Sequence, residues 1–270
     1  MTRRAIVVAA GRGKRLGRHT DDLPKCLVPL GDRTILGWQL RAFAAAGVDE
    51  LIMVRGYRGD VLEAGVRAEA PAGMKLRFID NREWESNNVL LSLACARAEL
   101  DRETLISYRD IIFTPAVARA AAAATGSIDL VIDADFASIY DGRTEHPLDE
   151  AEVAELGDDD LVRRVGKRAL PAEDADGEFI GLARLSADGA AVAGDALDAA
   201  IARYAGRDHE PYQRAARFRN AYLTDLLQEL IDGGRPVTPV LIRGQWREID
   251  TGQDLERAAG LVESNREDWT

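Results

Sequence analysis

Short apolar blocks alternate along the chain with longer stretches whose apolar residues recur at helical spacing. The first block, Ala5 to Ala10, is apolar throughout, as expected of a strand buried on both faces. Thr34 to Ala46 then carries Ile35, Leu36, Leu40 and Phe43 on one side and Gly47 as a stop, which predicts a helix. Leu51–Val54 reads as a short buried strand, residues 60–69 as a helix ahead of Pro71-Ala72-Gly73, and Leu76–Ile79 as a third strand. Strand, helix, strand, helix, strand describes an open, mostly parallel sheet with crossover helices.

Polar residues interrupt the pattern from Asp80 to Asn88. Asn88 suits the N-cap of a helix over Val89–Ala98, the usual role of such an Asn. Asn87 and Asn88, at a strand's carboxyl end, could equally read a pyrimidine base or hold a substrate. Thr104–Tyr108 is the next strand, and Arg109-Asp110 leads from it into Ile111-Ile112-Phe113. An acidic residue leaving a buried strand is either a turn former or a metal ligand, since ligands gather at the carboxyl ends of such strands. Pro115 opens an alanine-rich helix to Ala124, and Ile128–Ile132 is a strand that ends at Asp133, a second carboxylate facing the expected acceptor side.

Residues 137–177 change character, with much charge and few apolar runs. Glu152–Leu156 and Leu161–Val165 flank Gly157-Asp158-Asp159-Asp160 as a hairpin. This stretch is expected to be an insertion, a lid over the acceptor side of a single domain spanning 1–270. Glu178 to Ala183 returns to the core, and Gly181 permits close approach of a ligand or a neighbouring strand. Helices over about 187–204 and 219–232, a strand over Val237–Ile242 and a closing helix capped by Thr251 complete the chain. The fold class is α/β, with a mixed, mostly parallel sheet flanked by helices.

Composition narrows the function. The 270 residues suit one large domain, and 46% hydrophobic with 30% charged residues is the balance of a soluble globular protein. A formal net charge of −11 argues against a nucleic-acid surface. Two cysteines, Cys26 and Cys95, make no disulfide framework, which fits a reducing cytoplasm. The first apolar run is too short for a signal peptide, and none approaches the length of a membrane span.

Against that acidic background Arg3, Arg4, Arg12, Lys14, Arg15, Arg18 and Lys25 concentrate positive charge near the first strand. Such a reversal of sign focuses an anionic ligand. The small pair Ala9-Ala10 lets a base or ribose lie close to the strand end. Gly11 and Gly13 let backbone N–H groups approach phosphate oxygens, with Arg12 between them and Lys14 following. Arg15 and Lys25 are the candidates for charge-assisted phosphate contacts. A dinucleotide fingerprint is excluded because Leu16 stands at its third glycine and Arg55 at its acidic position. A Walker A loop is excluded because Arg15, not Ser or Thr, follows Gly13-Lys14. Two carboxylates from distant segments, Asp110 and Asp250, supply hard oxygen ligands for Mg2+ shared with a triphosphate.

The string A-A-G-x-G-x-R followed by Leu23-Pro24-Lys25 resembles the signature of the nucleotidyltransferases that join a nucleoside triphosphate to a phosphorylated sugar or alcohol. Ser86-Asn87-Asn88, Ile106 to Asp110, Gly177 to Leu182, Ala221 to Leu230 and Gly244 to Thr251 resemble the cytidylyltransferases acting on phosphocholine and on phosphonates. The resemblance runs through nearly the whole chain and is weakest over 137–177. It implies a Rossmann-like nucleotidyltransferase fold, CTP as donor, Mg2+ as cofactor, a small phosphonate or phosphate-ester acceptor, and a homodimer. By position, Asp110 and Asp250 would hold magnesium with Glu248 beside them. Lys25 and Arg15 would act on the phosphates, Asn88 would lie with the nucleotide, and Asn87 and Glu178 would fall near the acceptor.

Arg109 departs from that family's pattern, in which a glycine precedes the metal aspartate. It is either turned to solvent or adds positive charge beside the acceptor, which would favour a phosphonate bearing a carboxylate. Trp84, Phe136, Tyr140 and Phe179 could instead supply an aromatic cage for choline. A sugar-1-phosphate nucleotidyltransferase and a non-catalytic nucleotide-sensing subunit are the competing functions.

Overall fold

The computed structural model describes residues 3–269. Strand β1 (Arg3–Val8) shows why its block is apolar throughout: Ala5 and Val7 enter the core on one face of the sheet, Ile6 and Val8 the core on the other. A small antiparallel pair, β2 (Pro29–Leu30) and β3 (Arg33–Thr34), leads into helix α1 (Ile35–Ala45). The Thr34 side chain caps that helix by accepting from the Gly37 N–H at 2.9 Å. β4 (Val48–Arg55), α2 (Gly59–Glu69) and β5 (Lys75–Asp80) follow. β4 begins three residues before the expected strand because its polar Glu50 is buried against Arg4, whose Nε donates at 2.9 Å. Alternation alone could not reveal that pairing.

α3 (Val89–Cys95), β6 (Thr104–Tyr108), β7 (Ile111–Phe113), α4 (Pro115–Ala123) and β8 (Ile128–Asp133) continue the chain. The segment with the weakest apolar pattern forms the short α5 (Ala137–Tyr140) and the hairpin of β9 (Glu152–Leu156) and β10 (Val162–Lys167). β11 (Gly177–Leu185), α6 (Ala187–Tyr204), α7 (Leu223–Asp232), β12 (Val237–Ile242), β13 (Trp246–Glu248), α8 (Gly252–Ser264) and α9 (Arg266–Trp269) complete it. α7 starts at Leu223, not near 219, because the Asp225 carboxylate accepts from the Tyr222 N–H at 2.8 Å and fixes the helix start there.

The nine-stranded sheet runs β10-β9-β11-β6-β1-β4-β5, with β8 on the other edge of β11 and β12 beyond it. Pairs β6–β1, β1–β4, β4–β5 and β8–β12 are parallel, whereas β11 is antiparallel to β6, β8 and β9. The result is the mixed, mostly parallel sheet expected. α1, α2 and α4 cover one face, and α3, α6 and α7 the other. Among the described residues no helix is long and apolar enough to cross a membrane.

Gly181 interrupts the β11–β8 register with φ +84°, and a Cβ there would lie 2.5 Å from the Tyr108 ring. The close approach read from the sequence is therefore made by the neighbouring strand. It seats Tyr108 at the carboxyl end of β6, beside the cleft.

Candidate active site

Antiparallel pairing of β13 with β7 sets Glu248 opposite Ile111, and the Ile249 N–H donates to the Asp110 carbonyl at 2.8 Å. Residues far apart in the chain are thus locked side by side, and Asp110 and Asp250 come to one place. The third participant arrives from the loop after β1. Gly13 has φ +76°, and a Cβ on it would lie 2.7 Å from Lys25 Cδ. Glycine here supplies both the left-handed backbone and the space for the lysine stem.

Lys25 is 1% exposed. Its ammonium donates to Asp110 Oδ2 at 2.8 Å and also to Asp250 Oδ1. Arg15 reaches Asp250 Oδ2 at 2.6 Å from the solvent side. The four residues expected to converge do so. Burial by itself would lower the Lys25 pKa, but Asp110 and Asp250 outweigh it and hold the ammonium above its usual value. Burial likewise opposes ionisation of Asp250, yet Lys25, His146 and Arg15 keep its carboxyl well below the usual range.

His146 was missed by sequence reasoning. The three histidines of the chain, His19, His146 and His209, show no metal-ligand spacing, and the segment before β9 carries His146 into the cleft by tertiary folding alone. The ring is 1% exposed, with Nδ1 3.1 Å from Asp250 Oδ2 and Nε2 3.6 Å from Glu248 Oε2. Neither approach is aligned as a hydrogen bond, so both ring nitrogens lack hydrogen-bond partners. One ligand atom each of His146, Glu248 and Asp250 lies within 4.8 Å of the others. Burial, then Asp250, pushes the Glu248 carboxyl well above its usual range. A buried imidazole whose nitrogens have no hydrogen-bond partner, beside the ionised Asp250 carboxylate and a Glu248 carboxyl that burial and this charge keep from ionising, forms a donor set that fits a divalent cation.

Two cavities adjoin along Val8, Gly13, Asn88, Val89 and Arg109, and the smaller is lined by Glu248 and Asp250. One, of about 560 Å³, is lined by Gly11, Arg12, Gly13 and Lys14, with Tyr57, Trp84, Asn87, Asn88 and Arg109 opposite. The other, of about 170 Å³, lies between Lys25, Asp110 and Asp250 on one side and Glu152, Lys167, Glu178 and Tyr222 on the other. Arg109 belongs to both.

Several expected roles change with the geometry. Ala9 and Ala10 are each 1% exposed and lie beneath the first cavity, where the Ala9 N–H donates to Val54 and the Ala10 carbonyl accepts from Tyr57. Arg12 is held by Asp21 at 2.7 Å. Asn88 occupies the N-cap of α3, but its side chain donates to the Asn220 carbonyl at 3.0 Å and does not cap. Asn87, expected near the acceptor, lines the first cavity and exchanges hydrogen bonds with Asn81.

Asp133 does not face an acceptor. It is fully buried, with Oδ2 accepting from Trp246 Nε1 at 2.7 Å and Oδ1 from the N–H groups of Gly244 and Asp135. Those three donors occupy both of its oxygens and tie β8 to the start of β13. Its location at a strand's carboxyl end gave no sign that a distant indole would claim it.

Glu178 does line the second cavity. It is 4% exposed, accepts from Tyr140 Oη at 2.8 Å through Oε1, and leaves Oε2 without a partner. Burial pushes its carboxyl up to about 8, with Glu152 and Asp133 adding to the effect against the Tyr140 hydrogen bond and Arg143. Glu152, accepting from Tyr108 Oη at 3.1 Å, is pushed by burial to about 7. Lys167 bonds Glu150 at 3.0 Å and lies 5.0 Å from the centre of the Tyr222 ring. None of Glu150, Glu152 and Lys167 stood out in sequence, because their segment has the composition of a solvated surface.

The raised Glu178 pKa has a measurable consequence. Between the ordinary carboxyl value of 4.5 and about 8 the folded protein keeps a proton that the unfolded chain releases. Stability linked to this group is therefore full below that window and falls by about 1.4 kcal/mol per pH unit across it. Glu178→Gln stays neutral and can still accept from Tyr140, so it should flatten the decline in urea-denaturation stability between pH 5 and 8. An unchanged slope would mean that Glu178 is ionised in the folded protein.

Residues 5–172 match the MobA-like NTP transferase domain. CTP:phosphoglutamine cytidylyltransferase of Campylobacter jejuni is 29% identical over 258 residues, covering 93% of this chain and 97% of that protein. CMP-5'-(3-aminopropyl)phosphonate synthase of Streptomyces rubellomurinus is 37% identical over 121 residues, which are 45% of this chain and 19% of that one. Among solved structures, the CTP:phosphocholine cytidylyltransferase from Streptococcus pneumoniae has the same fold, with a TM-score of 0.71 at 20% identity over 97% of this chain and all of that one. Because the family match reaches from β1 past β10, taking in the glycine loop, Lys25 and Asp110, the chain belongs to the MobA-like NTP transferase family and is a nucleotidyltransferase.

Proposed function

We propose that the protein transfers the cytidylyl group of CTP to a small phosphonate or phosphate-ester acceptor and releases pyrophosphate. The observation that carries this reading is the seating of Lys25 between Asp110 and Asp250, beneath a glycine loop and in the wall of the smaller cavity, which adjoins the larger at Gly13 and Arg109. The Campylobacter relative's name gives CTP as its donor and the Streptomyces relative's name gives a CMP-linked phosphonate as its product, which favours CTP over other donors.

An acceptor oxygen attacks the α-phosphorus, the bond from that phosphorus to the oxygen bridging the β-phosphate breaks, and pyrophosphate leaves with the electron pair. A phosphonate is already anionic near neutrality, so the site needs no general base. Positioning and charge neutralisation carry the rate. Lys25 and Arg15 offset negative charge that builds on the phosphoryl oxygens. A magnesium ion held by Asp110 and Asp250, with Glu248 and His146 beside them, would further neutralise the triphosphate.

The walls of the smaller cavity bear on the acceptor. Glu178 presents a buried oxygen without a partner, and Lys167 is already paired with Glu150. An acceptor ammonium at that oxygen would displace the Glu178 proton and pair with the carboxylate, which favours an acceptor carrying an amino group over one carrying a second carboxylate. A pyrophosphate-release assay crossing CTP, UTP, GTP and ATP with 3-aminopropylphosphonate, phosphonoacetate, phosphocholine and glucose 1-phosphate tests both choices. CTP with the aminophosphonate is expected to give the highest kcat/KM. Preference for glucose 1-phosphate would support a sugar nucleotidyltransferase, and nucleotide binding without release under any pairing would support a sensor.

A further inference from the structure

Arg109 follows β6 and lies where the two cavities join. Its guanidinium packs on the phosphate loop: a Cβ on Gly11 would stand 3.0 Å from Nη1 and 3.2 Å from Nη2. Lys25, Arg15, Arg12 and Lys167 each have a carboxylate partner. Among the described residues Arg109 forms no ion pair, and its Nε is buried without a hydrogen-bond partner. The side chain is therefore not turned to solvent, and its charge is uncommitted.

Nucleotidyl transfer brings two anions together, the acceptor's phosphoryl group and the α-phosphate under attack. A cation at the junction of their cavities offsets that repulsion, and a planar guanidinium can give a phosphate two parallel hydrogen bonds. We propose that Arg109 contacts the α-phosphoryl group of the bound nucleotide, holding it against the Gly11 loop on the side from which the acceptor enters. This rests on the transferase reading above but not on the identity of the base.

The test is calorimetric titration of cytidine, CMP and CTP, at fixed Mg2+, into the wild-type protein, Arg109→Gly and Arg109→Lys, with circular dichroism to confirm folding. Loss of a charge-assisted contact to the α-phosphate should raise Kd for CMP and CTP alike by roughly tenfold, leave cytidine unchanged, and be partly rescued by lysine. Equal weakening of cytidine, weakening confined to CTP, or no weakening overturns the assignment. If the wild-type protein prefers another base, the same series from that nucleoside still decides the role of Arg109, while the cytidylyl reading alone fails. Absence of nucleotide binding by the wild-type protein overturns both.

Discussion

Lys25→Met should lower kcat for pyrophosphate release by roughly a hundred- to a thousandfold, the usual cost of losing a preorganised group aimed at transition-state charge. Methionine keeps an unbranched stem that can pass Gly13, so the loop has no steric reason to move. The ammonium is what disappears. Asp250, 2% exposed, is then left with Arg15 as its cation and the His146 ring beside it, and Asp110 loses the ion pair it makes. Stranding buried carboxylates costs stability, on the order of 3 kcal/mol or more. The melting temperature should fall by several degrees. Mg2+ should restore more of that loss in the variant than it adds to the wild type, because the lysine no longer competes for the same oxygens. Activity within a few-fold of wild type would remove Lys25 from the chemistry.

That competition explains the arrangement of charge in the cleft. The same two aspartates suit a divalent cation and, in this structure, hold the lysine. A ligand that draws Lys25 onto a phosphate frees carboxylate oxygens at the same moment. Nucleotide and cation would therefore promote each other's binding through Asp110 and Asp250 with no movement of the sheet.

How much of this could be read from the chain depends on the kind of constraint. The glycine loop, Lys25, Asp110 and Asp250 were legible because each is tied to a local backbone need: a positive φ at Gly13, or the strand ends on either side of the β7–β13 pairing. The strand order was legible only in part. Alternation of strands and helices predicts parallel neighbours, but β11 reverses direction between β6 and β8, and no local pattern announces which strand does so. Asp133 and His146 show the same limit from opposite sides. One carboxylate looked available and is consumed by Trp246, whereas one histidine looked unremarkable and is buried against Asp250. Both outcomes depend on partners more than a hundred residues away, which side-chain type and spacing do not encode.

Of the two aspartates, Asp250 should tolerate change less. Asp110 has an 18% exposed side chain and pairs with Lys25, whereas Asp250 is buried and meets Lys25, Arg15 and His146 together. Asp250→Asn keeps the shape of the side chain while removing the charge that three cationic or potentially cationic groups face. Lys25 would retain Asp110, so its ammonium stays compensated and the fold should survive. Arg15 loses the carboxylate that anchors it, and a divalent cation loses the most buried of its charged ligands. The expected result is a fall in kcat of about a thousandfold, comparable to losing a principal electrostatic stabiliser. Mg2+ at millimolar concentration should also cease to raise the melting temperature. Asp110→Asn should keep part of that thermal response, since Asp250, Glu248 and His146 remain grouped. If Asp250→Asn kept full Mg2+ stabilisation while Asp110→Asn abolished it, the cation would be held on the exposed side of the cleft, and Asp250 would serve chiefly to position Arg15 and Lys25.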